Sequence, residues 1–174
     1  MYDELVSTNH LEIGCGTGFF LDHCAKPIAH LVLLDLSANS LNHTTARLQR
    51  FHPSRLETDI LKPNPIPQSF GPFQSIGMNY VLHCLPGTFA AKAAALQHAR
   101  ALLAPGGVFF GATVLGQGVH HNRLGRLLMW IYNRVGTFGN AADTQADLEQ
   151  ILDGLFSDVT VTRHGRVAIF VARA

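Results

Sequence analysis

Apolar positions along the chain alternate between two patterns. His10 to Ile13, Leu31 to Leu36, Arg55 to Ile60, Phe73 to Val81 and Val108 to Leu115 are short apolar-rich runs that predict strands. Between them lie helical patterns. Phe19 to about Ala25 predicts a helix stopped before Pro27. Ser37 is placed to cap a helix with Leu41, Thr45 and Leu48 on one face, and Thr88 one carrying Phe89, Ala93, Leu96 and Leu103. Pro63, Pro65 and Pro67 fit neither a central strand nor a helix, so that stretch is a surface loop. Pro105-Gly106-Gly107 is expected to end the second of these helices and turn the chain into the fifth strand. A helix from about Thr144 to Leu155 precedes Val159 to Thr162 and Val167 to Val171, which the turn Arg163-His164-Gly165-Arg166 joins as an antiparallel hairpin at a sheet edge. Strands alternating with helices make this one α/β domain over 1–174 with a mostly parallel sheet.

One interval is too long for an ordinary connection. Residues 116–140 are flanked by glycines and hold Leu124, Leu127, Leu128, Ile131 and Val135 at helical spacing, with Arg123, Arg126 and Arg134 largely opposite. Two readings stand: a lid over a site, or an amphipathic helix packed on the body with its arginines solvated.

Composition narrows the partners. Thirteen Lys and Arg against twelve Asp and Glu leave a net charge of +1, which gives a polyanion or an anionic membrane little to hold. No apolar run reaches the length of a membrane span, and MYDELVSTNH lacks the apolar centre of a signal peptide, so a cytoplasmic protein is expected. Only 14% of residues are charged, which leaves open a surface covered by a lid or by a second copy in a homo-oligomer. Cys15, Cys24 and Cys84 form no C-x-x-C pair; Cys24 reads as core and Cys15 as part of a loop. Ten histidines contain no H-x-x-x-H pair, so no metal is expected.

The sharpest chemical signal is Gly14-x-Gly16-x-Gly18 between a strand and a helix, where the backbone can pass close to a ligand. The spacing is one residue tighter than the dinucleotide G-x-G-x-x-G. Asp35 follows Gly14 by 21 positions at the end of the second strand, where a carboxylate can accept both hydrogen bonds of a ribose diol. A nucleoside cofactor is the reading this supports.

In order, LEIGCGTGFF, LVLLDLS, ETDILKP, FQSIGMNYVLHCLPG and LLAPGGVFF resemble the motifs of class I S-adenosylmethionine-dependent methyltransferases, over roughly residues 10 to 115. The resemblance implies a Rossmann-like seven-stranded sheet flanked by helices, in the order 3-2-1-4-5-7-6 with strand 7 antiparallel. It also implies S-adenosylmethionine as cofactor and S-adenosylhomocysteine as product. Carried over by position, Gly14, Cys15, Gly16 and Gly18 would line the methionine moiety, with Glu12 supporting the loop. Asp35 would hold the ribose hydroxyls. Leu36 and Ile60 would sandwich the adenine, Asp59 would accept from its amino group, and Asn79 and Tyr80 would pass the sulfonium. Asp59 also reads as a turn former, and Leu36 as simple core.

Methyl transfer depends mainly on positioning and on exclusion of water. His83 lies where a general base would stand, or else only hydrogen-bonds a loop. Tyr80, His120, His121, Arg123 and Tyr132 are candidates for orienting the acceptor. Asn79-Tyr80 lacks the Asn-Pro-Pro-Tyr signature of nucleic-acid amino methylation, and Gln74 stands where metal-dependent relatives carry an acid. A small, fairly apolar acceptor is therefore expected, with neither nucleic acid nor membrane as partner. Only thirteen residues precede Gly14, so the cofactor groove is expected to be open to water. A binding module without turnover and a nicotinamide oxidoreductase are the alternatives.

Overall fold

The computed structural model describes residues 1–120 and 122–174, with Gln68 described by its backbone alone. Seven strands, β1 (Asn9–Ile13), β2 (His30–Asp35), β3 (Ser54–Glu57), β4 (Phe73–Asn79), β5 (Leu103–Val114), β6 (Asp158–His164) and β7 (Val167–Arg173), form one sheet. Their order is β3-β2-β1-β4-β5-β7-β6, as the resemblance implies. β7 runs antiparallel to both β5 and β6, whereas the pairs among β1 to β5 are parallel.

The central strands read as continuous apolar runs because both faces of the sheet are covered. Neighbouring residues serve opposite faces. Leu34 and Phe109 join one core with Leu96, Leu148 and Leu152, from helices α4 (Phe89–Ala101) and α6 (Gln145–Leu155). Leu33 and Phe110 join the other with Tyr2, Leu21, Leu41 and Leu48, from or beside α1 (Tyr2–Leu5), α2 (Phe19–Asp22) and α3 (Ala38–Arg47). Ser37, Thr88 and Thr144 accept at 3.3, 3.4 and 3.1 Å from backbone amides of the helices they precede.

Several elements differ from the expected ones. α2 is a single turn, because the Arg50 guanidinium takes the Asp22 and Leu21 carbonyls at 2.7 and 3.3 Å. In α3 Thr44, rather than Thr45, is fully buried beside Leu41 and Leu48. In α4 the buried stripe is Phe89, Lys92, Ala95, Leu96 and Ala99; Ala93 is only half-buried, and Leu103 belongs to β5. Pro105-Gly106-Gly107 does not precede the strand but lies within it, where the register jumps between the pairs Phe73–Leu103 and Ser75–Val108. The last hairpin is longer than predicted, with pairing through His164–Val167 and a two-residue turn, Gly165-Arg166.

Within 116–140, α5 (Arg123–Arg134) is capped by Asn122, whose side chain accepts from the Gly125 amide at 2.7 Å. Its apolar stripe does not pack on the body. Leu124, Leu127, Leu128 and Val135 are 64, 52, 40 and 67% exposed, and Gly125 is the helix's buried residue.

Candidate functional site

β1, β2 and β4 end at one edge of the sheet, and the loops that follow line a cleft of about 330 Å³. Gly14 and Gly16 form its floor, Asp35 and Leu36 one wall, Thr58, Asp59 and Ile60 another, and Tyr80, Val81, Cys84 and Leu85 the end beyond β4. Gly14 has φ 70, and a side chain there would run into Val81, so the loop can lie this close to β4 only with glycine. Gly16 has φ 52 and faces open space, so its need is the left-handed backbone itself.

The glycine loop is held from two sides. Asp35 accepts from the Gly16 amide at 3.3 Å through one oxygen and from the Ser37 amide at 2.9 Å through the other, tying the loop to the start of α3. Thr44 donates its hydroxyl to the Gly16 carbonyl at 2.8 Å. The Cys15 thiol lies 3.7 Å from Asp35, and burial, with the Asp35 and Glu12 charges adding, pushes it up to about 12. It is a buried thiol packed in the second core and not among the residues that line the cleft. Gly18 begins α2 against Thr44 and does not reach the cleft wall. Asp59 accepts from the Leu61 amide at 2.9 Å, so the turn role and the cleft position coincide in one residue.

A buried polar chain links α1, β1 and β4. Tyr2 donates to Glu12 at 2.6 Å and accepts from the Asn79 amide at 2.8 Å; the second Glu12 oxygen is 3.0 Å from His10, whose other ring nitrogen is 2.8 Å from Ser75. Burial, and then the Glu12 charge, raise the Tyr2 phenol far above its ordinary range. Tyr2 thus joins Glu12 of β1 to Asn79, the last residue of β4.

Asn79 ends β4, and Tyr80 turns out of the sheet with φ 58, its amide donating to the Ala112 carbonyl at 2.7 Å. His83 is buried in the following 3-10 turn, Leu82–Cys84. Its Nδ1 accepts from the Val114 amide at 3.4 Å, and its carbonyl accepts from the Gly139 amide at 2.8 Å. Burial, with the Lys92 charge adding, lowers the ring to about 4.

His120, Arg123 and Tyr132 do not line the cleft. His120 is exposed and offers its carbonyl to Arg166 at 3.2 Å, Arg123 is exposed at the start of α5, and Tyr132 is 39% exposed with its ring 5.0 Å from that of Phe138. His121 lies outside the described residues. Among the described residues no group of three or more His, Cys, Asp or Glu is placed to hold a metal ion.

Sequence reasoning missed Thr44, Tyr2 and a clamp at the base of 116–140. Lys92, fully buried, lies 2.6 Å from Asp143 and donates to the Gly139 carbonyl at 2.9 Å. The Asp143 carbonyl accepts from the amides of Gly116 and Gln117 at 3.1 and 3.0 Å. Asn140 donates to the Val114 carbonyl at 2.7 Å. Burial raises the Asp143 carboxyl against the opposing pull of Lys92. A lysine on the buried stripe of an alanine-rich helix was a signal for the clamp; Tyr2 had none.

A family profile described as a methyltransferase domain matches residues 11–109. Demethylluteothin O-methyltransferase of Streptomyces thioluteus is 42% identical over 174 residues, covering 99% of this chain and 75% of that protein. Methyltransferase verB of Penicillium polonicum is 37% identical over 187 residues, covering 99% of this chain and 81% of that protein. In fold, the N-methyltransferase NodS from Bradyrhizobium japonicum WM9, solved with S-adenosyl-l-homocysteine, matches with a TM-score of 0.68 at 20% identity, over 95% of this chain and 77% of that one.

Proposed function

The chain belongs to the class I S-adenosylmethionine-dependent methyltransferases, and from that premise we propose how its residues divide the work of methylating a small-molecule acceptor. The observation that carries the assignment is the Gly14–Gly16 floor tied to Asp35. It leaves a left-handed loop with no side chain over the cleft and a partly exposed carboxylate beside it. These residues fit a nucleoside sulfonium. Asp35 would hold the ribose hydroxyls, Leu36 and Ile60 would flank the adenine, Asp59 would accept from its amino group, and the Gly14–Gly16 backbone would line the methionine portion. Glu12 and Asn79 act from beneath, through Tyr2. When bound, the sulfonium supplies the methyl: an acceptor lone pair forms the new bond, the carbon–sulfur pair returns to sulfur to give S-adenosylhomocysteine, and the acceptor's proton passes to solvent.

The protein's part is positioning and exclusion of water. His83 is assigned a positioning role, because a ring buried, lowered to about 4 and engaged by Val114 is a weak proton acceptor at neutral pH. Residues 116–140 act as the lid, pivoting on the Lys92–Asp143 clamp, with the exposed stripe of α5 as its covering face. Tyr132, His120 and Arg123 are carried by this lid. The acceptor is a small molecule rather than nucleic acid, since a net charge of +1 gives phosphates little to hold. Among the described residues no helix is long and apolar enough to cross a membrane, and three free cysteines suit a cytoplasmic setting.

The test is thermal unfolding with S-adenosylmethionine, S-adenosylhomocysteine and NAD in parallel, on the protein and on Asp35→Ala. The sulfur nucleosides should raise Tm, by linkage worth about 2.7 kcal/mol at a hundred times Kd, while NAD should not, and Asp35→Ala should lose most of the shift. An unchanged shift in Asp35→Ala, or a response to NAD alone, would overturn the assignment of the cleft.

A further inference from the structure

The three glycines of the loop are not held alike. A side chain at Gly14 would meet Val81 and one at Gly18 would meet Thr44, but at Gly16 it would have no neighbour within 4 Å. Packing therefore fixes both ends of the loop and leaves its middle to two hydrogen bonds. One runs from the Gly16 amide to Asp35 at 3.3 Å, and the other from the Thr44 hydroxyl to the Gly16 carbonyl at 2.8 Å. The first is long, and its acceptor is the carboxylate assigned to the ribose hydroxyls, so the cofactor shares it. The second belongs to the protein alone. Thr44 is fully buried within α3, on a face with Leu41 and Leu48, which are anchored in the second core. A threonine inside a helix ordinarily turns its hydroxyl to the carbonyl of the preceding turn or to water; this one crosses to a loop 28 positions away. The hydroxyl of its neighbour Thr45 has no partner among the described residues.

Resting on the methyltransferase reading of the cleft, we infer that Thr44 is the positioning residue for the amino-acid end of the cofactor: its hydroxyl holds the Gly16 peptide in the left-handed setting that the loop presents to the methionine portion. Glycine loses more freedom on ordering than any other residue. A loop with glycine at every second position therefore weakens binding unless the protein has fixed it beforehand. Asp35 does not supply that alone, since its carboxylate is drawn to the ribose when the cofactor arrives. Removing the Thr44 hydroxyl loosens the part of the cleft that takes the methionine portion. It leaves the part that takes adenosine, whose walls come from Asp35, Leu36, Asp59 and Ile60.

Calorimetric titration with S-adenosylhomocysteine and with 5′-methylthioadenosine, which keeps the adenine, ribose and sulfur but has no amino-acid portion, tests this on the protein, Thr44→Val, Thr44→Ser and Thr45→Val. Valine keeps the shape of Thr44 without the hydroxyl. It should weaken S-adenosylhomocysteine by about fivefold or more, the worth of one hydrogen bond, while 5′-methylthioadenosine stays within about twofold. Thr44→Ser keeps the hydroxyl and Thr45→Val removes an unused one, so each should leave both ligands within about twofold. A smaller loss of S-adenosylhomocysteine in Thr44→Val, an equal loss of the two ligands, or a serine variant as weak as the valine one would overturn the inference. Should Thr44→Val not fold, Thr44→Ala decides the matter on the same thresholds. If the unaltered protein binds neither ligand, the cofactor reading itself falls and this inference with it; if it binds both and Thr44→Val changes neither, the inference alone falls.

Discussion

Tyr2 places one hydroxyl between two buried polar side chains of β1 and β4, donating to Glu12 and accepting from the side-chain amide of Asn79. Tyr2→Phe keeps the ring against Phe20 and Phe110 but leaves a buried carboxylate short of a donor and a buried amide short of an acceptor. We expect a loss of about 1–3 kcal/mol in urea unfolding; a loss under about 0.5 kcal/mol would show that water replaces the hydroxyl without cost. His83 gives a pH signature. Its folded value of about 4 lies below the usual 6.5 or so of an unfolded histidine, so the neutral ring favours the fold. That contribution is complete above about pH 6.5 and is lost as pH falls towards 4, on the order of 3 kcal/mol in all. Unfolding free energies at pH 7, 5.5 and 4 should fall more steeply for the protein than for His83→Gln, and parallel slopes would contradict the burial effect. Residues of this kind differ in how far the sequence reveals them. Gly14, Gly16 and Asp35 were legible because a turn and its spacing demand them. The Tyr2 partnership was not, because it joins residues 77 positions apart through a side chain no local pattern requires.

At the scale of elements, helices were found through their caps and periods, but what each face meets depends on the tertiary structure. α5 shows the difference. Periodicity says only where apolar residues gather, and in the structure those of α5 face solvent. Pro-Gly-Gly signals a boundary because both residue types break regular structure, whereas pairing of Leu103 with Phe73 absorbs it inside β5. The join between α4 and the segment before α6 rests on one buried ion pair, Lys92 with Asp143. Lys92→Met strands the Asp143 carboxylate in the interior and should cost about 3–5 kcal/mol, while Lys92→Met with Asp143→Leu should recover most of it. A double-mutant cycle in denaturant measures this, and additive losses would mean that the two residues are not coupled.

For the whole molecule, alternating strands and helices established the class, and five ordered motifs implied the strand order that is observed. Less legible was how the chain closes on itself beyond the motifs, which hydrogen bonds between distant backbone groups decide. Asp143 takes both amides of Gly116 and Gln117, while Lys92 holds Gly139, so the excursion between them leaves and re-enters the fold at nearly one point. An excursion closed at its neck resembles a cassette. This one, however, is also stitched to the last hairpin, where Arg163 and Arg166 donate to the Gly118 and His120 carbonyls, so a new content would have to keep or replace those two bonds at the far edge of the sheet.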